Sequence, residues 1–271
     1  MAKDDLNAQL QAVDRWASRR RRSVEFLRKN GLYGLIAKMR EAGPAETARF
    51  LKRQARYQLC AFLSARWDSK YGVDTSGQID LTDIQVVGPN RDSGYASVST
   101  SPQAYAFLSG FFPPTWKDFT FVDIGAGKGR VMMLAALQGF DTILGIEFAP
   151  LICRIAERNL GRFSGRKPAN WSVVNADASL VDLPSGVPLL IYSFNPFKVE
   201  MWQRFLPVVL KANSAGDQPI CLVLSGTIPE TLNDAAVLIE RTEQFRERAR
   251  GVTPFFTDAY APYTYRVFDT V

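Results

Sequence analysis

The run from Phe119 to Glu147, FTFVDIGAGKGRVMMLAALQGFDTILGIE, limits what the whole chain can fold into. Phe119 to Ile124 is mostly apolar and β-prone, the pattern of a strand covered on both faces. Gly125, Gly127 and Gly129 follow at once. Glycine adopts positive φ without a Cβ penalty and lets backbone approach a ligand closely. A helix fits Arg130 to Gln138, and a second strand fits Thr142 to Glu147. The helix start would offer free N–H groups and the positive end of a dipole to whatever lies over the turn. Strand, glycine turn, helix and acid-ended strand together predict a nucleotide-cofactor cradle.

The alternation continues beyond it. Further strands are expected at Trp171 to Asn175, Leu189 to Phe194, Ile220 to Ser225, the Thr242 to Val252 region, and Tyr263 to Phe268. Helices fit at Pro150 to Leu160, Met201 to Leu210 and Ile228 to Asn233. This predicts an α/β fold: a doubly wound, mainly parallel seven-stranded Rossmann-like sheet, with the last two strands as an antiparallel edge hairpin.

Before the sheet, residues 1–72 read as a helical N-terminal extension, with helices over 4–30, 32–39 and 45–71, the last stopped by Gly72. They hold 16 Lys and Arg against 7 Asp and Glu, a net of +9, whereas 73–271 hold 17 against 20. The four consecutive arginines Arg19 to Arg22 would be spread around a helix axis, because successive residues turn by about 100°. They read either as a solvated face or as a contact for nucleic acid or anionic lipid. Residues 73–103, rich in Gly, Ser, Thr, Asp and Pro, read as a loop or lid with one short strand at Ile84 to Val87. Ser101 is placed to cap a helix begun by Pro102. The Rossmann-like domain proper is then 104–271.

The chain has no histidine. That excludes His general-base chemistry, Ser-His-Asp and Cys-His schemes, and most transition-metal sites, so no metal is expected. Cys60, Cys153 and Cys221 lie far apart in apolar stretches, as buried free thiols do in a reducing compartment. No apolar run reaches the ~20 residues of a membrane span, and the N-terminus lacks an apolar signal core, so a cytoplasmic location is expected.

Four features accompany the glycine turn: Asp123 inside the first strand end, Glu147 ending the second, Asn175-Ala176-Asp177 after the third, and Asn195-Pro196-Phe197 after the fourth. All fall at carboxyl ends of strands, where doubly wound sheets bind ligands. On these residues the sequence resembles the class I S-adenosylmethionine-dependent methyltransferases: VDIGAGKGR their first motif, GIE their second-strand acid, NADA their adenine segment, SFNPF their fourth-strand motif. The resemblance covers about residues 100–271. It implies S-adenosyl-L-methionine as cofactor. Asp123, Gly125, Ala126, Gly127 and Gly129 would receive its methionine part, Glu147 its ribose hydroxyls, and Asp177 and Ala178 its adenine. Asn195, Pro196 and Phe197 would form the catalytic acceptor site. The rival reading of the turn is an NAD-binding domain, but its G-x-G-x-x-G spacing is not met here. Lys128 and Arg130 do not belong to a P-loop pattern either. Lys128 gets no catalytic role, and Arg130 is expected to start the helix and pair with an acid.

Asn-Pro-Phe lacks the second proline of the (Asn/Asp)-Pro-Pro-aromatic nitrogen methyltransferases. It is closer to the short motif of the non-SET histone-lysine methyltransferases and of bacterial and mitochondrial lysine methyltransferase-like proteins. That resemblance implies a nitrogen acceptor, protein lysine first, and a loop over the cofactor at Gly94 to Pro102, with Tyr95, Thr100 and Gln103 as contact candidates. A nucleic-acid acceptor served by the basic extension, a small-molecule acceptor and a non-catalytic cofactor-binding scaffold are the other readings. For Asn195 the plainer alternative is a strand-end turn made with Pro196.

Overall fold

The computed structural model describes residues 43–49, 51–52, 55–79, 97–195, 198–214, 218–255, 257 and 262–271. The helices expected over 4–30 and 32–39, the arginine run, the strand at 84–87, and Tyr95, Pro196 and Phe197 lie outside these residues. The chain falls into two compact units, Met1–Phe62 and Leu63–Val271. In the first, the described residues 43–49, 51–52 and 55–62 are helical. Leu59 and Phe62 are more than half exposed.

The second unit starts with helix α1, residues 63–71, which ends at Gly72 with φ +71°. Seven strands follow: β1 (Thr120–Ile124), β2 (Thr142–Glu147), β3 (Asn170–Asn175), β4 (Leu189–Phe194), β5 (Ile220–Gly226), β6 (Phe245–Val252) and β7 (Thr264–Thr270). Their order is β3-β2-β1-β4-β5-β7-β6. β1 to β5 are parallel, and β7 runs antiparallel between β5 and β6. The hairpin expected from the sequence is therefore present, with β6 rather than the chain's final strand on the edge. The helices are α2 (Pro102–Ser109), α3 (Arg130–Gln138), α4 (Pro150–Arg162), α5 (Val199–Ser214) and α6 (Pro229–Glu240). Ser101 caps α2 as expected, its Oγ accepting from the Ala104 N–H.

Each face of the sheet has its own core. Val122, Ile124, Ile191, Leu222 and Leu224 pack with Trp202 and Phe205 of α5 and Leu232 of α6. Phe121, Ile143, Tyr192 and Val223 pack with Tyr105 and Leu108 of α2 and Met132 and Met133 of α3. The period of two along a strand then fixes the site. Asp123 shares a face with Phe121, and Glu147 shares it with Ile143. Both acids therefore point to the α2–α3 side. Gly145 lies between them on β2, where a Cβ would come 2.5 Å from Met132 Sδ and 2.9 Å from Ala126 Cβ. Only glycine lets α3 and the turn approach the sheet this closely.

Candidate functional site

Strand order reverses between β1 and β4, and a crevice opens at the carboxyl ends of such neighbours. The glycine turn forms its floor. Gly125, Gly127 and Gly129 have φ of +74°, +55° and +85°, so all three need the freedom that glycine alone has without strain. Gly129 is also the left-handed residue from which α3 starts. The cleft is lined by Asp123, Gly125, Ala126, Gly127, Arg130, Val131, Tyr192 and Phe194, and on the other side by Val98, Ser99 and Thr100.

The turn spends its own N–H groups internally. Those of Gly125 and Ala126 both donate to Ile146 O (2.9 and 3.0 Å), and that of Gly129 donates to Ala126 O (2.9 Å). The Gly127 N–H donates to Glu147 Oε2 (2.9 Å). These donors are therefore not arrayed as a cradle for a pyrophosphate, which needs several backbone N–H groups converging on it.

The two acids differ in what surrounds them. Glu147 is 4% exposed, and its other oxygen accepts from the Ala149 N–H (2.9 Å). Burial pushes its carboxyl up to about 7, against the opposing pull of the hydrogen bonds from Ala149, Gly127 and Phe148. Each oxygen has a second lone-pair direction, so the brace leaves acceptor capacity. Asp123 is 3% exposed, and its Oδ2 has no hydrogen-bond partner. Burial, and then the Glu147 charge, push its carboxyl up to about 8. A buried carboxylate oxygen without a donor costs free energy unless a cation or donor meets it. Asp123 lines the cleft, where a ligand with a cationic end would answer that oxygen. Tyr105 stands near: burial, then Tyr192 and Asp123, raise its phenol, whose O–H donates to Gln138 Oε1 (2.7 Å).

At the next strand end, Asn175 Nδ2 and the Ala176 N–H donate to Glu147 O (2.8 and 3.1 Å), tying β3 to β2. Asp177 Oδ1 accepts from the Ser179 N–H and Oγ–H (both 2.9 Å), which starts the 3-10 turn Ala178–Leu180 and buries Ala178. Past β4, Asn195 adopts φ +45°, a left-handed conformation in which asparagine is enriched. Its Oδ1 accepts from the Thr227 N–H, and its Nδ2 donates to Thr227 Oγ1 (both 2.9 Å). Gly226 makes room, since a Cβ there would lie 2.5 Å from that Oδ1. The side chain is thus anchored across to β5, at the same sheet end as Asp123.

Lys128 and Arg130 face away from a phosphate role. The Lys128 ammonium donates to Ser76 O. Arg130 Nε donates to Thr75 Oγ1 (2.6 Å), and its Nη2 meets Asp68 Oδ1 (3.2 Å) and Ser76 Oγ (3.0 Å). The acid expected for Arg130 is therefore Asp68 in α1. Of the lid candidates, Thr100 is buried in the cleft wall with its Oγ1 3.2 Å from the Tyr192 hydroxyl, whereas Gln103 is exposed and does not line the cleft. Asp68, Thr75, Ser76 and Asn159 were not singled out from the sequence. Nothing local marks their links to Arg130, Lys128 and Asp74, which lie 31 to 85 residues away.

No family model matches the sequence, and no curated protein matches it. Several solved structures are similar in chain trace. One is the magnesium protoporphyrin IX methyltransferase of Synechocystis with bound S-adenosylmethionine, 16% identical, TM-score 0.43, over 62% of this chain and 75% of that one. Another is the methyltransferase domain of a bacterial Hen1, 14% identical, TM-score 0.48, over 63% and 97%. A third is an S-adenosylmethionine-dependent methyltransferase from Methanosarcina mazei, 15% identical, TM-score 0.45, over 61% and 97%. The strand order and register define the class of this chain without them: it holds a doubly wound, Rossmann-like α/β domain with seven strands.

Proposed function

We propose that this chain is an S-adenosylmethionine-dependent methyltransferase that methylates nitrogen, with protein lysine as the first acceptor to test. The observation that carries the reading is the buried Asp123 Oδ2, partnerless at the foot of a glycine turn in which the Gly125, Ala126, Gly127 and Gly129 N–H groups are spent within the fold. That combination suits a cationic, phosphate-free ligand and opposes a dinucleotide. Such a ligand is S-adenosylmethionine, which bears an ammonium and a sulfonium. When bound it supplies a methyl carbon that a nitrogen lone pair displaces from sulfur, the bonding pair returning to sulfur and one proton leaving the nitrogen for water.

The chain's part is binding and alignment, which is most of what an in-line displacement requires. Asp123 would hold the ammonium, lined by Gly125, Ala126, Gly127 and Gly129. Glu147 would offer its remaining lone pairs to the ribose hydroxyls while bracing Gly127. Asp177 and Ala178 would meet the adenine. Asn195 would keep its carbonyl oxygen, already fixed by Thr227, in place for the acceptor N–H, beside Pro196 and Phe197. Fixing a group by a second hydrogen bond removes rotamer freedom that binding would otherwise have to restrict.

A nucleic-acid acceptor is the second reading. It is favoured by Arg154, Arg158 and Arg162, exposed at four-residue spacing on one face of α4. Transfer of labelled methyl groups into fractionated lysate, with protease and nuclease controls, separates the two. Loss of label to protease supports the first, and loss to nuclease the second. Tighter calorimetric binding of NAD than of S-adenosylmethionine would overturn both.

A further inference from the structure

The cleft has two walls with different origins. One is the glycine turn and α3. The other is the segment 97–100, which contributes Val98, Ser99 and Thr100. That segment belongs to no helix or named strand, so something must hold it. It is held by residues 75–79. Ile79 and Ser97 exchange both backbone hydrogen bonds (3.0 and 2.8 Å), and Ser99 Oγ donates to Thr75 O (2.8 Å).

Residues 74–76 are in turn held by a buried polar cluster. Asp68 Oδ2 accepts from the Thr75 and Ser76 N–H groups (3.0 and 2.7 Å), and its Oδ1 accepts from Thr75 Oγ1 (2.5 Å). The same Oδ1 meets Arg130, whose side chain is 2% exposed against 9% for Asp68. Arg130 stacks its guanidinium 5.5 Å from the Trp67 ring centroid. Asn159 of α4 closes the ring: its Nδ2 donates to Asp74 O (2.9 Å) and to Lys128 O (3.0 Å), and its Oδ1 accepts from the Asp74 N–H (3.1 Å). A buried ion pair is weak evidence for stability, because apolar replacements of the same shape are often as stable. Its hydrogen-bond geometry, however, can specify one arrangement among several.

We infer that Asp68 is a positioning residue for the cofactor cleft: through Arg130, Thr75 and Ser76 it locks segment 97–100 against the glycine turn. It does a second thing. Arg130 lines the cleft, and a bare guanidinium there would repel a cationic donor; Asp68 neutralises it from behind. The inference rests on the proposed cofactor only for the choice of ligand, since the coupling of Asp68 to segment 97–100 is a property of the chain alone.

The test uses the full chain and three variants: Asp68→Asn, Asp68→Glu and Ser99→Ala. Amide exchange is read at Ile79 and Ser97, and calorimetry gives the affinities for S-adenosylmethionine and for S-adenosylhomocysteine, which lacks the sulfonium charge. In Asp68→Asn, exchange at both amides accelerates and S-adenosylmethionine affinity falls on the order of tenfold. The loss for the product, which has no sulfonium, is smaller, a ratio that a general loss of stability would not move. Asp68→Glu restores part of that ratio. Ser99→Ala, which leaves the ion pair intact and guards against a misfolded Asp68 variant, accelerates exchange at Ser97 and lowers both affinities alike. Unchanged exchange in a folded Asp68→Asn overturns the inference, as does faster exchange with both affinities within twofold of the parent. If the parent chain binds no S-adenosylmethionine, the proposed function fails, and the exchange data still decide the coupling.

Discussion

Replacing Asp123 by asparagine should stabilise the ligand-free protein and weaken its affinity for the cofactor. In the folded chain burial holds the Asp123 carboxyl near 8, whereas its ordinary value is 3.8. The folded state therefore keeps a proton that the unfolded state has released. Stability falls with pH wherever the folded state binds more protons, here from about pH 4 to about pH 8, and levels off above. At 1.36 kcal/mol per unit, the 3.2 units between 3.8 and pH 7 amount to roughly 4 kcal/mol set against folding. At pH 5 the same product is less than half of that, roughly 2 kcal/mol at most. Asparagine has nearly the same shape and does not titrate, so it removes this cost, less the desolvation of its amide. A gain of about 2–4 kcal/mol at pH 7 corresponds to about 5–10 °C in Tm for a domain of this size. Calorimetric scans of the parent and Asp123→Asn from pH 5 to pH 8 should show a Tm gap that widens with pH. Titration with S-adenosylmethionine should show affinity lowered by about 1.5–3 kcal/mol, the worth of a hydrogen bond to a charged group. An asparagine variant less stable than the parent at pH 8, a gap that does not change with pH, or undiminished affinity would each refute the reasoning.

The remaining predictions follow from the same cleft. In the parent chain, S-adenosylmethionine affinity should rise as pH passes from 6 to 8, because Asp123 (about 8) and Glu147 (about 7) become anionic there, and the Asp123 part of that rise should vanish in Asp123→Asn. A flat or falling profile in calorimetry would contradict it. Glu147→Ala should weaken cofactor binding by about 1.5–3 kcal/mol and also destabilise the fold by about 1–3 kcal/mol, since the Gly127 and Ala149 N–H groups lose their acceptor. Parallel titration and thermal melting check both halves. Asn195→Ala should abolish turnover while leaving cofactor affinity within a few fold. Near-normal methyl transfer to the acceptor found in lysate would remove Asn195 from catalysis.

Much of the fold could be read in the sequence because its signals are local. β2 and β4 begin and end at the residues expected from hydrophobic pattern, and α3 occupies Arg130–Gln138 as anticipated. α5 and α6 extend several residues beyond their expected limits, to Ser214 and Glu240, because buried contacts on the sheet continue the helix where the local pattern weakens. The placement of β7 between β5 and β6 could not be read locally, since both antiparallel neighbours suit the same alternating strand.

The site divides along the same line. The sequence by itself determined the positive-φ turn, because only glycines at 125, 127 and 129 tolerate it, and the shared face of Asp123 and Glu147, because strand periodicity leaves no choice. Tertiary structure alone decided what those groups touch. Glu147 turns one oxygen to Gly127, 20 residues away; Asn195 reaches Thr227, 32 away; Arg130 finds Asp68, 62 away. A polar side chain carries no periodic mark of its distant partner. The pairing is set by desolvation, which leaves a buried charge or amide no stable alternative to the group that packing brings beside it.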